Sequence, residues 1–254
     1  MNKVLEELIS NRKIELPDGS WANIENTSIS TEEGMFLQKC VKDSNATTSL
    51  EVGLAFGCSA LFICDALNKN ENTRHTVLDP FQNDPNCPWK NGAGLFNLNK
   101  AGFESIVEFY EEFSHFALPR LISEGKKVDF VFIDGNHTFD YTLLDFFYAD
   151  LLLKPGGIVV LDDTAWPAVK KVCSFIEHNR NYVLHDYIKQ PIEYSFMQKM
   201  YIKMHQKMQS SKRFKPYMAK ESIGGKVFNY TYGSMVAYKK VADDNRDFKH
   251  FIDF

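Results

Sequence analysis

Apolar segments that fit buried strands alternate with amphipathic segments that fit helices, and this alternation constrains the fold more than any other feature. The strand candidates are Ser49–Gly53, His75–Asp79, Ser105–Phe113, Val128–Asp134 and Gly156–Asp163. The helix candidates are Cys58–Lys69, a short segment near Leu98–Gly102, Ser114–Ser123, Tyr141–Leu153 and Ala168–Asn179. This order predicts an α/β fold whose mainly parallel sheet has helices on both faces, because nearly continuous apolar strands need cover on both sides.

The two ends of the sequence are less regular. Residues 1–48 predict a helical region, in which Ser30 or Thr31 caps a helix because acidic residues follow in its first turn. Residues 226–241 predict two strands or a hairpin with a turn near Gly233. Such a pair would add antiparallel strands to the sheet.

Composition excludes several classes of protein. The 254 residues are 44% hydrophobic and carry a net charge of -4, so nothing in the overall charge points to nucleic acid. No stretch approaches the about 18 apolar residues of a membrane span, and the first residues lack the apolar core of a signal peptide. The five cysteines form no Cys-x-x-Cys pair, which favours reduced thiols. We therefore expect a cytoplasmic protein that binds neither nucleic acid nor membranes.

Ligands of an open parallel sheet bind at the carboxyl ends of its strands, so the residues that end the strands are the first candidates for a site. The first strand carries Glu51 and ends at Gly53, and Gly57 follows in the loop before the next helix. The two glycines allow a tight turn and close approach of the backbone to a ligand. A carboxylate at Glu51 suits a ligand with an amine better than a pyrophosphate, which favours S-adenosylmethionine over NAD.

Four further strand-end carboxylates follow along the chain. Asp79 stands where an acid usually holds ribose hydroxyls, and with Glu51 in place this role is favoured over the alternative of a helix cap or a turn residue before Pro80. Asp134, Asp162 and Asp163 end two later strands and are expected to converge. Like charges this close are costly without a cation, so the three predict a site for Mg²⁺ or another divalent ion. The alternative is that Asp162 or Asp163 only caps the following helix.

His137 lies three residues beyond Asp134. An imidazole titrates in the range that suits a general base acting on a hydroxyl, so His137 is a catalytic candidate. A loop histidine that is hydrogen-bonded to the backbone is the alternative.

The motifs that carry these residues resemble a known family when taken together and in order. They are LEVGLAFGCSALFI, VLDPF, SHFALPRL, VDFVFIDGNHTFDY and LLLKPGGIVVLDD, and they span roughly residues 31–179. Together they resemble the class I S-adenosylmethionine-dependent methyltransferases, and most closely the cation-dependent O-methyltransferases that act on catechols and on antibiotic sugars. The resemblance implies a Rossmann-like fold with a mainly parallel seven-stranded sheet and an antiparallel C-terminal strand pair.

The resemblance also implies roles for individual residues. Residues at the first loop would face the methionine end of S-adenosylmethionine, Asp79 would hold its ribose, and the start of SHFALPRL would flank its adenine. The cofactor-binding candidates are therefore Glu51, Gly53, Gly57, Ser59, Asp79, Ser114, His115 and Asp134. The implied metal ligands are Asp134, Asp162 and Asp163, and the implied proton acceptor is His137 or Asp134. His137 departs from the lysine of catechol-type enzymes, and Asp163 replaces their asparagine, as in the antibiotic-sugar group.

These assignments predict a metal-assisted O-methylation of a small-molecule hydroxyl on a sugar or phenol. Two alternatives stay open: an NAD-dependent oxidoreductase on a similar sheet, and an inactive methyltransferase fold that serves as a binding protein. We expect residues 1–48 to cover the active site and residues 49–254 to form the S-adenosylmethionine-binding domain, with a lid-like insertion around 191–225. Its basic, Met-rich helix could instead simply pack on the domain. A homo-oligomer is possible.

Overall fold

The computed structural model describes residues 2–25, 27–89, 91–189, 200 and 232–254. The strands are β1 (Lys13–Glu15), β2 (Trp21–Asn23), β3 (Thr48–Val52), β4 (Arg74–Leu78), β5 (Val107–Tyr110), β6 (Val128–Ile133), β7 (Leu153–Leu161), β8 (Tyr182–Lys189) and β9 (Tyr232–Lys240). The helices are α1 (Lys3–Asn11), α2 (Thr31–Asp43), α3 (Cys58–Ala66), α4 (Ala93–Lys100), α5 (Ser114–Ser123), α6 (Phe139–Leu152) and α7 (Pro167–Asn179), with a 3₁₀ turn at Glu104–Ile106.

Seven strands form the central sheet in the order β5-β4-β3-β6-β7-β9-β8. The first five are parallel, whereas β9 runs antiparallel to both β7 and β8. Strands β1 and β2 form a separate antiparallel pair. The predicted α/β fold, with its mainly parallel sheet and an antiparallel C-terminal strand pair, is confirmed.

Both faces of the sheet are covered, and the alternation within β6 shows how. Phe130 and Phe132 pack into one buried cluster with residues of α1–α4, whereas Val131 and Ile133 pack into a second cluster with residues of α5–α7. Successive side chains of a strand point to opposite faces, so a strand covered on both faces must be apolar at every position. This requirement explains the nearly continuous apolar runs of the sequence.

The start of α2 follows the predicted capping pattern. Ser30 is the N-cap: its Oγ accepts a hydrogen bond from the backbone N–H of Glu33 at 3.2 Å, and its own N–H donates to Glu33 Oε2 at 2.6 Å. This reciprocal pair is a capping box, which satisfies two backbone donors that a helix start leaves free. Thr31, the other candidate, is the first residue of the helix. The N-terminal region also contains the β1–β2 pair, which the sequence did not predict.

The predicted hairpin turn near Gly233 is wrong. Gly233 lies inside β9, where its carbonyl accepts a hydrogen bond from Thr164 Oγ1 at 2.9 Å. The carbonyl of the next residue, Ser234, accepts from the backbone N–H of Thr164 at 3.0 Å. These bonds hold the chain extended through the glycine. The antiparallel partner of β9 is β8, a strand missed because its residues are mostly partly exposed and give no apolar run.

Two further boundaries differ from the prediction. Strand β5 covers only Val107–Tyr110 of the predicted Ser105–Phe113, because the 3₁₀ turn precedes it. Helix α4 begins earlier than predicted, at Ala93, and ends at Lys100 before Gly102, whose φ of 78° belongs to the left-handed region. Among the described residues, none of the helices combines the length and the apolar character of a membrane span. The predicted lid around 191–225 lies outside the described residues.

A buried ion-pair network fixes the end of β9. Lys240, only 2% exposed, donates through Nζ to the carbonyl oxygens of Asp150 and Leu153 at 2.6 and 2.9 Å. The same ammonium lies 3.2 Å from Asp150 Oδ1 and 2.8 Å from Asp243 Oδ1. Lys240 therefore ties the antiparallel edge of the sheet to the end of α6.

We predict that Lys240→Met destabilises the fold, because the buried carbonyl oxygens of Asp150 and Leu153 would lose their donor and, among the described residues, the Asp150 carboxylate would keep only Arg180, at 3.4 Å, as a cationic partner. Removing one partner of a buried pair costs about 3–5 kcal/mol. Chemical denaturation followed by circular dichroism measures the free energy of unfolding. Lys239→Met is the matched control, since Lys239 is exposed on the same strand, and we expect it to change stability by less than about 0.5 kcal/mol. Equal losses in the two variants would contradict the prediction.

Candidate active site

A cavity of about 550 Å³ opens at the carboxyl ends of the parallel strands. Its walls come from the loops after β3, β4, β5 and β6, from α6, and from residues 27–29 of the N-terminal region. Of the predicted site residues, those that line it are Gly53, Ser59, Asp79, Ser114, Asp134 and His137. Glu51, Gly57, His115, Asp162 and Asp163 lie around the cavity but do not line it.

The loop after β3 requires its first glycine. Gly53 has a φ of 94°, and a Cβ built on it would lie 2.1 Å from the carbonyl oxygen of Asp134. Any side chain there would push the loop away from the end of β6. Gly53 therefore brings the backbone of the β3 loop against that of the β6 loop, as close approach of two backbones requires.

Glu51 is fully buried and already has partners. Its Oε2 lies 2.8 Å from His75 Nε2, and its Oε1 accepts a hydrogen bond from the hydroxyl of Ser59. His75 Nδ1 in turn lies 2.8 Å from the hydroxyl of Ser49. Among the described residues, Glu51 is therefore connected to the cavity through Ser59, which lines it. In this arrangement the carboxylate orients Ser59, and a direct contact with a ligand amine stays a prediction.

Asp79 holds two loops together. Its Oδ2 accepts hydrogen bonds from the backbone N–H groups of Leu54 and Ala55 at 3.2 and 2.8 Å and from Gln82 Nε2 at 3.0 Å. Its Oδ1 accepts from the N–H of Phe81 at 2.7 Å. Asp79 therefore joins the loops after β3 and β4 while facing the cavity. Its predicted contact with ribose stays a prediction, since four donors already surround the carboxylate.

Ser114 and His115, the predicted adenine neighbours, differ in position. Ser114 begins α5 and lines the cavity. His115 lies outside the lining, among aromatic rings: its ring centroid is 5.5 Å from that of Phe113, 4.3 Å from that of Phe116 and 5.9 Å from that of Tyr141. His115 therefore packs against aromatic residues of the cavity wall without lining the cavity, whereas Ser114 and Phe113 line it.

Asp134 and His137 are in direct contact, which the sequence analysis did not predict. His137 Nε2 lies 3.1 Å from Asp134 Oδ1, and His137 Nδ1 lies 3.4 Å from Asp163 Oδ2. The imidazole therefore stands between two carboxylates from neighbouring strand ends. The ring of Trp166 meets it edge-on with centroids 5.3 Å apart.

The three aspartates share an environment that disfavours their charged form. Burial raises the pKa of Asp134 to about 6 against the opposing hydrogen bond of His137. Burial, followed by the charges of Asp134 and Glu33, raises the pKa of Asp162 well above its usual range, and burial also raises that of Asp163. The same environment favours the charged form of His137. Burial lowers the pKa of His137, but the hydrogen bond and the charge of Asp134 outweigh burial, so the pKa rises.

The donor chemistry of this cluster fits a divalent cation. All three groups supply hard oxygen ligands, and Asp162 Oδ1 is a buried atom without a hydrogen-bond partner among the described residues. The side chains are not arranged as a complete metal site. Within the described ranges, no three His, Cys, Asp or Glu side chains converge as ligands of one ion. The imidazole of His137 separates Asp134 from Asp163. The metal site therefore stays a prediction.

Asp163 has an unusual backbone. Its φ of 51° lies in the left-handed region, which a residue with a side chain adopts at a cost. This conformation ends β7 abruptly, and the N–H of Trp166 then bonds to the carbonyl of Asp163 at 2.9 Å to start the turn into α7. The alternative that Asp162 or Asp163 caps this helix is not observed, since Trp166 is the N-cap and no side chain caps it.

Sequence reasoning missed two residues of the site: Gln82, which holds the loops beside the cavity without lining it, and Asp145, which lines it. Gln82 donates to the carbonyl of Ala55 at 2.8 Å and accepts from the N–H of Gly94 at 3.1 Å, which closes the loop after β4. Asp145 lines the cavity from α6 although it is 2% exposed. An acid among the apolar residues of α6 could have identified Asp145, together with the equally buried Asp150, because such burial is rare without a reason.

Comparison with known proteins agrees with this architecture. A model of a methyltransferase domain matches residues 50–164. Tapetum-specific methyltransferase 1 of Arabidopsis thaliana is 30% identical over 149 residues, which are 58% of this chain and 59% of that protein. Caffeoyl-CoA O-methyltransferase 2 of Populus trichocarpa is 29% identical over 175 residues, 64% of each chain. This chain thus spans about three fifths of these relatives' length.

Solved structures share the fold at lower identity. An O-methyltransferase from Bacillus cereus, solved with SAH, superposes with a TM-score of 0.54 at 20% identity, over 73% of this chain and 85% of that one. The O-methyltransferase TomG from Streptomyces achromogenes, solved with SAM, gives 0.56 at 19% identity, over 73% and 82%. These structures share the fold of this chain, and residues 50–164 match the methyltransferase-domain model. The chain is similar to S-adenosylmethionine-dependent O-methyltransferases in sequence and in fold, and the resemblance inferred from its motifs is confirmed.

We predict that Asp162→Asn stabilises the fold at neutral and alkaline pH when divalent ions are chelated. The raised pKa means that the folded state binds this proton more tightly than the unfolded state. The stability linked to it is present below the usual pKa of an aspartate and is lost as pH rises through the raised value. The variant should therefore melt roughly 2–6 °C higher at pH 8 in EDTA, as about 1–2 kcal/mol would give in a chain of this size.

Differential scanning calorimetry at pH 4 and pH 8 measures the effect. The gap between variant and wild type should close at pH 4, where the wild-type carboxyl is protonated as well. Glu71→Gln is the control, because Glu71 is exposed and its substitution should leave the melting temperature unchanged at both pH values. A gap of the same size at pH 4 and pH 8 would show that Asp162 is not the source.

Proposed function

We propose that this protein is an S-adenosylmethionine-dependent O-methyltransferase that acts on a hydroxyl of a small molecule, a sugar or a phenol of a natural product or glycan. The observation that carries the proposal is the convergence of Gly53, Ser59, Asp79, Ser114 and the Asp134–His137 pair on one cavity. The names of the relatives add a specific first acceptor to test, the caffeoyl-CoA of the plant enzymes.

The order of the strands supports one direction for the cofactor. Ser114 follows β5, Asp79 follows β4, and Gly53 follows β3, so a cofactor that extends along these ends has its adenine near Ser114 and its methionine near Gly53 and Ser59. Strand β6 is the next neighbour of β3. The reactive methyl group would therefore face Asp134 and His137, with Trp166 on the side left for the acceptor.

Asp134, Asp162 and Asp163 are the residues that would hold a divalent cation. A bound Mg²⁺ would lower the pKa of an acceptor hydroxyl and help to orient it. The protein itself keeps three carboxylates at adjoining strand ends in a partly buried space. Binding of a positive charge is strongly favoured in such a space.

His137 is the proposed proton acceptor. Its contact with Asp134 at 3.1 Å fixes the orientation of the ring, as a carboxylate commonly does for a catalytic histidine. Its position at the cavity wall beside Trp166 places it next to the space proposed for the acceptor. Asp134 is a second possible acceptor of the same proton, since its raised pKa brings it near neutrality.

The reaction is then a direct displacement. The acceptor oxygen loses its proton to His137 and attacks the methyl carbon of the sulfonium, and the carbon–sulfur bond breaks to leave S-adenosylhomocysteine. No covalent bond to the protein is needed, so much of the rate comes from holding the two reactants in line. The Gly53 loop and the Asp79 contacts supply this rigidity at the cofactor end.

We predict that the protein binds S-adenosylhomocysteine and not NAD in isothermal titration calorimetry. The loop after β3 lacks the third glycine of a dinucleotide-binding loop, so it offers little to a pyrophosphate. Tight binding of NAD with none of S-adenosylhomocysteine would favour the oxidoreductase alternative instead. Binding of S-adenosylhomocysteine should be followed by turnover tests with caffeoyl-CoA, catechol and a sugar acceptor, each in Mg²⁺ and in EDTA.

A loss of turnover in EDTA that Mg²⁺ restores would support the metal assignment, and unchanged turnover in EDTA would contradict it. Binding of the cofactor without transfer to any acceptor of the panel would favour the binding-protein alternative.

We predict that His137→Ala lowers kcat by about 10²–10⁴-fold, the usual contribution of a general base. The KM for S-adenosylmethionine should change little, because His137 lies at the acceptor end of the proposed arrangement. Steady-state kinetics on the acceptor with the highest turnover separate the two constants. His250→Ala is the control, since His250 is exposed near the end of the chain. A drop of less than tenfold in kcat would indicate that Asp134, and not His137, accepts the proton.

A further inference from the structure

Asp145 is a buried acid that the proposed reaction does not use. It lies in α6, is only 2% exposed, and contributes to the cavity wall. Its Oδ1 is a buried atom with no hydrogen-bond partner in the part of the chain that the structure describes. Buried polar atoms are almost always bonded, so an acceptor left open at a cavity calls for a donor from a ligand.

Among the described residues, no cation contributes to the surroundings of Asp145. A Cβ built on Gly135 would lie 3.3 Å from Asp145 Oδ2, so the carboxylate rests against the backbone of the β6 loop. Burial raises the pKa of Asp145 to about 6, and the hydroxyl of Ser114 opposes that rise. Asp145 also lies mid-helix, seven residues beyond the N-cap Thr138, so it does not cap the start of α6.

The position of Asp145 narrows the choice of donor. S-adenosylmethionine offers three kinds of N–H or O–H donor: the amine of its methionine end, the ribose hydroxyls and the exocyclic amine of adenine. In the proposed arrangement the methionine amine lies near Gly53 and Ser59, and the ribose lies near Asp79. Asp145 is associated instead with Ser114, at the end proposed for the base.

We propose that Asp145 accepts a hydrogen bond from the exocyclic amine of the cofactor's adenine and thereby selects adenine over a 6-oxo purine. This inference rests on the proposed function, since it assumes that the cavity binds S-adenosylmethionine. A carboxylate accepts but does not donate when ionised, so it pairs with an amine and repels a carbonyl oxygen. Hypoxanthine carries a carbonyl oxygen at that position and would be rejected.

The test compares S-adenosylhomocysteine with S-inosylhomocysteine by isothermal titration calorimetry on the full chain. The wild type should bind the adenosyl ligand at least about tenfold more tightly, the effect of one unfavourable pairing at a buried site. Asp145→Asn replaces one acceptor oxygen by a donor amide of nearly the same shape. We expect this variant to reverse the preference, weakening the adenosyl ligand and strengthening the inosyl ligand.

Ser114→Ala is the matched control. If Asp145 acted only by holding Ser114 or the fold, the two variants would weaken both ligands by similar factors and leave their ratio unchanged. An unchanged ratio in Asp145→Asn, or equal binding of the two ligands by the wild type, would overturn the inference while leaving the proposed function intact. A folded wild type that binds neither ligand would overturn both, so the two failures are distinguishable.

If the Asp145→Asn variant does not fold, a second measurement on the wild type tests the inference. A crystal structure of the wild type with S-adenosylhomocysteine should place the exocyclic nitrogen of adenine within hydrogen-bond distance of Asp145 Oδ1, at about 3 Å. An exocyclic nitrogen bonded to another residue and more than about 4 Å from this oxygen would overturn the inference.

Discussion

The hydrogen-bonded pairing of β3, β4, β6 and β7 decides where four of the candidate site residues lie. Val52 pairs with Leu78 of β4 on one side and with Ile133 of β6 on the other, and Ile133 pairs with Leu161 of β7. The residues that follow these four positions therefore stand in one row, and they are Gly53, Asp79, Asp134 and Asp162. A shift of one residue in any pair would break this row and exchange the side chains between the two covered faces of the sheet. The requirement for a glycine at position 53 follows from the same alignment, since it brings two loop backbones together.

This row could be predicted from the sequence because it depends on strand ends, and strand ends are visible in the apolar pattern. The ends of β3, β4, β6 and β7 lie within two residues of the predicted ones. What could not be predicted depends on contacts between distant segments. His75 becomes the partner of Glu51 only through the β3–β4 register, and Gly233 looked like a turn because its bonds to Thr164 lie 69 residues away in the chain.

The acids near the cavity fall into two groups that physical chemistry separates. Glu51 and Asp79 are buried and fully bonded, the first to His75 and Ser59 and the second to backbone N–H groups and Gln82. Groups of this kind shape the site and hold its loops, whatever else they contact. Asp145 and Asp162 each keep a buried oxygen without a partner among the described residues. An unpaired buried acceptor costs about 1–3 kcal/mol, so these two residues are where a ligand has most to contribute.

The two unpaired acids lie at opposite ends of the proposed arrangement, Asp145 by the adenine end and Asp162 by the acceptor end. Both have raised pKa values, so in the absence of a partner each weakens the fold as pH rises through its raised pKa. The stabilising contacts lie elsewhere: the Lys240 network anchors β9, and the two apolar clusters cover the sheet. Concentrating unsatisfied charge at one edge of a well-packed sheet is the pattern expected where stability is exchanged for binding. Under the proposed function, the cofactor would supply a hydrogen-bond donor to Asp145 and the cation would supply a positive charge to Asp162. Ligand binding and stability would then be linked at both ends of one site.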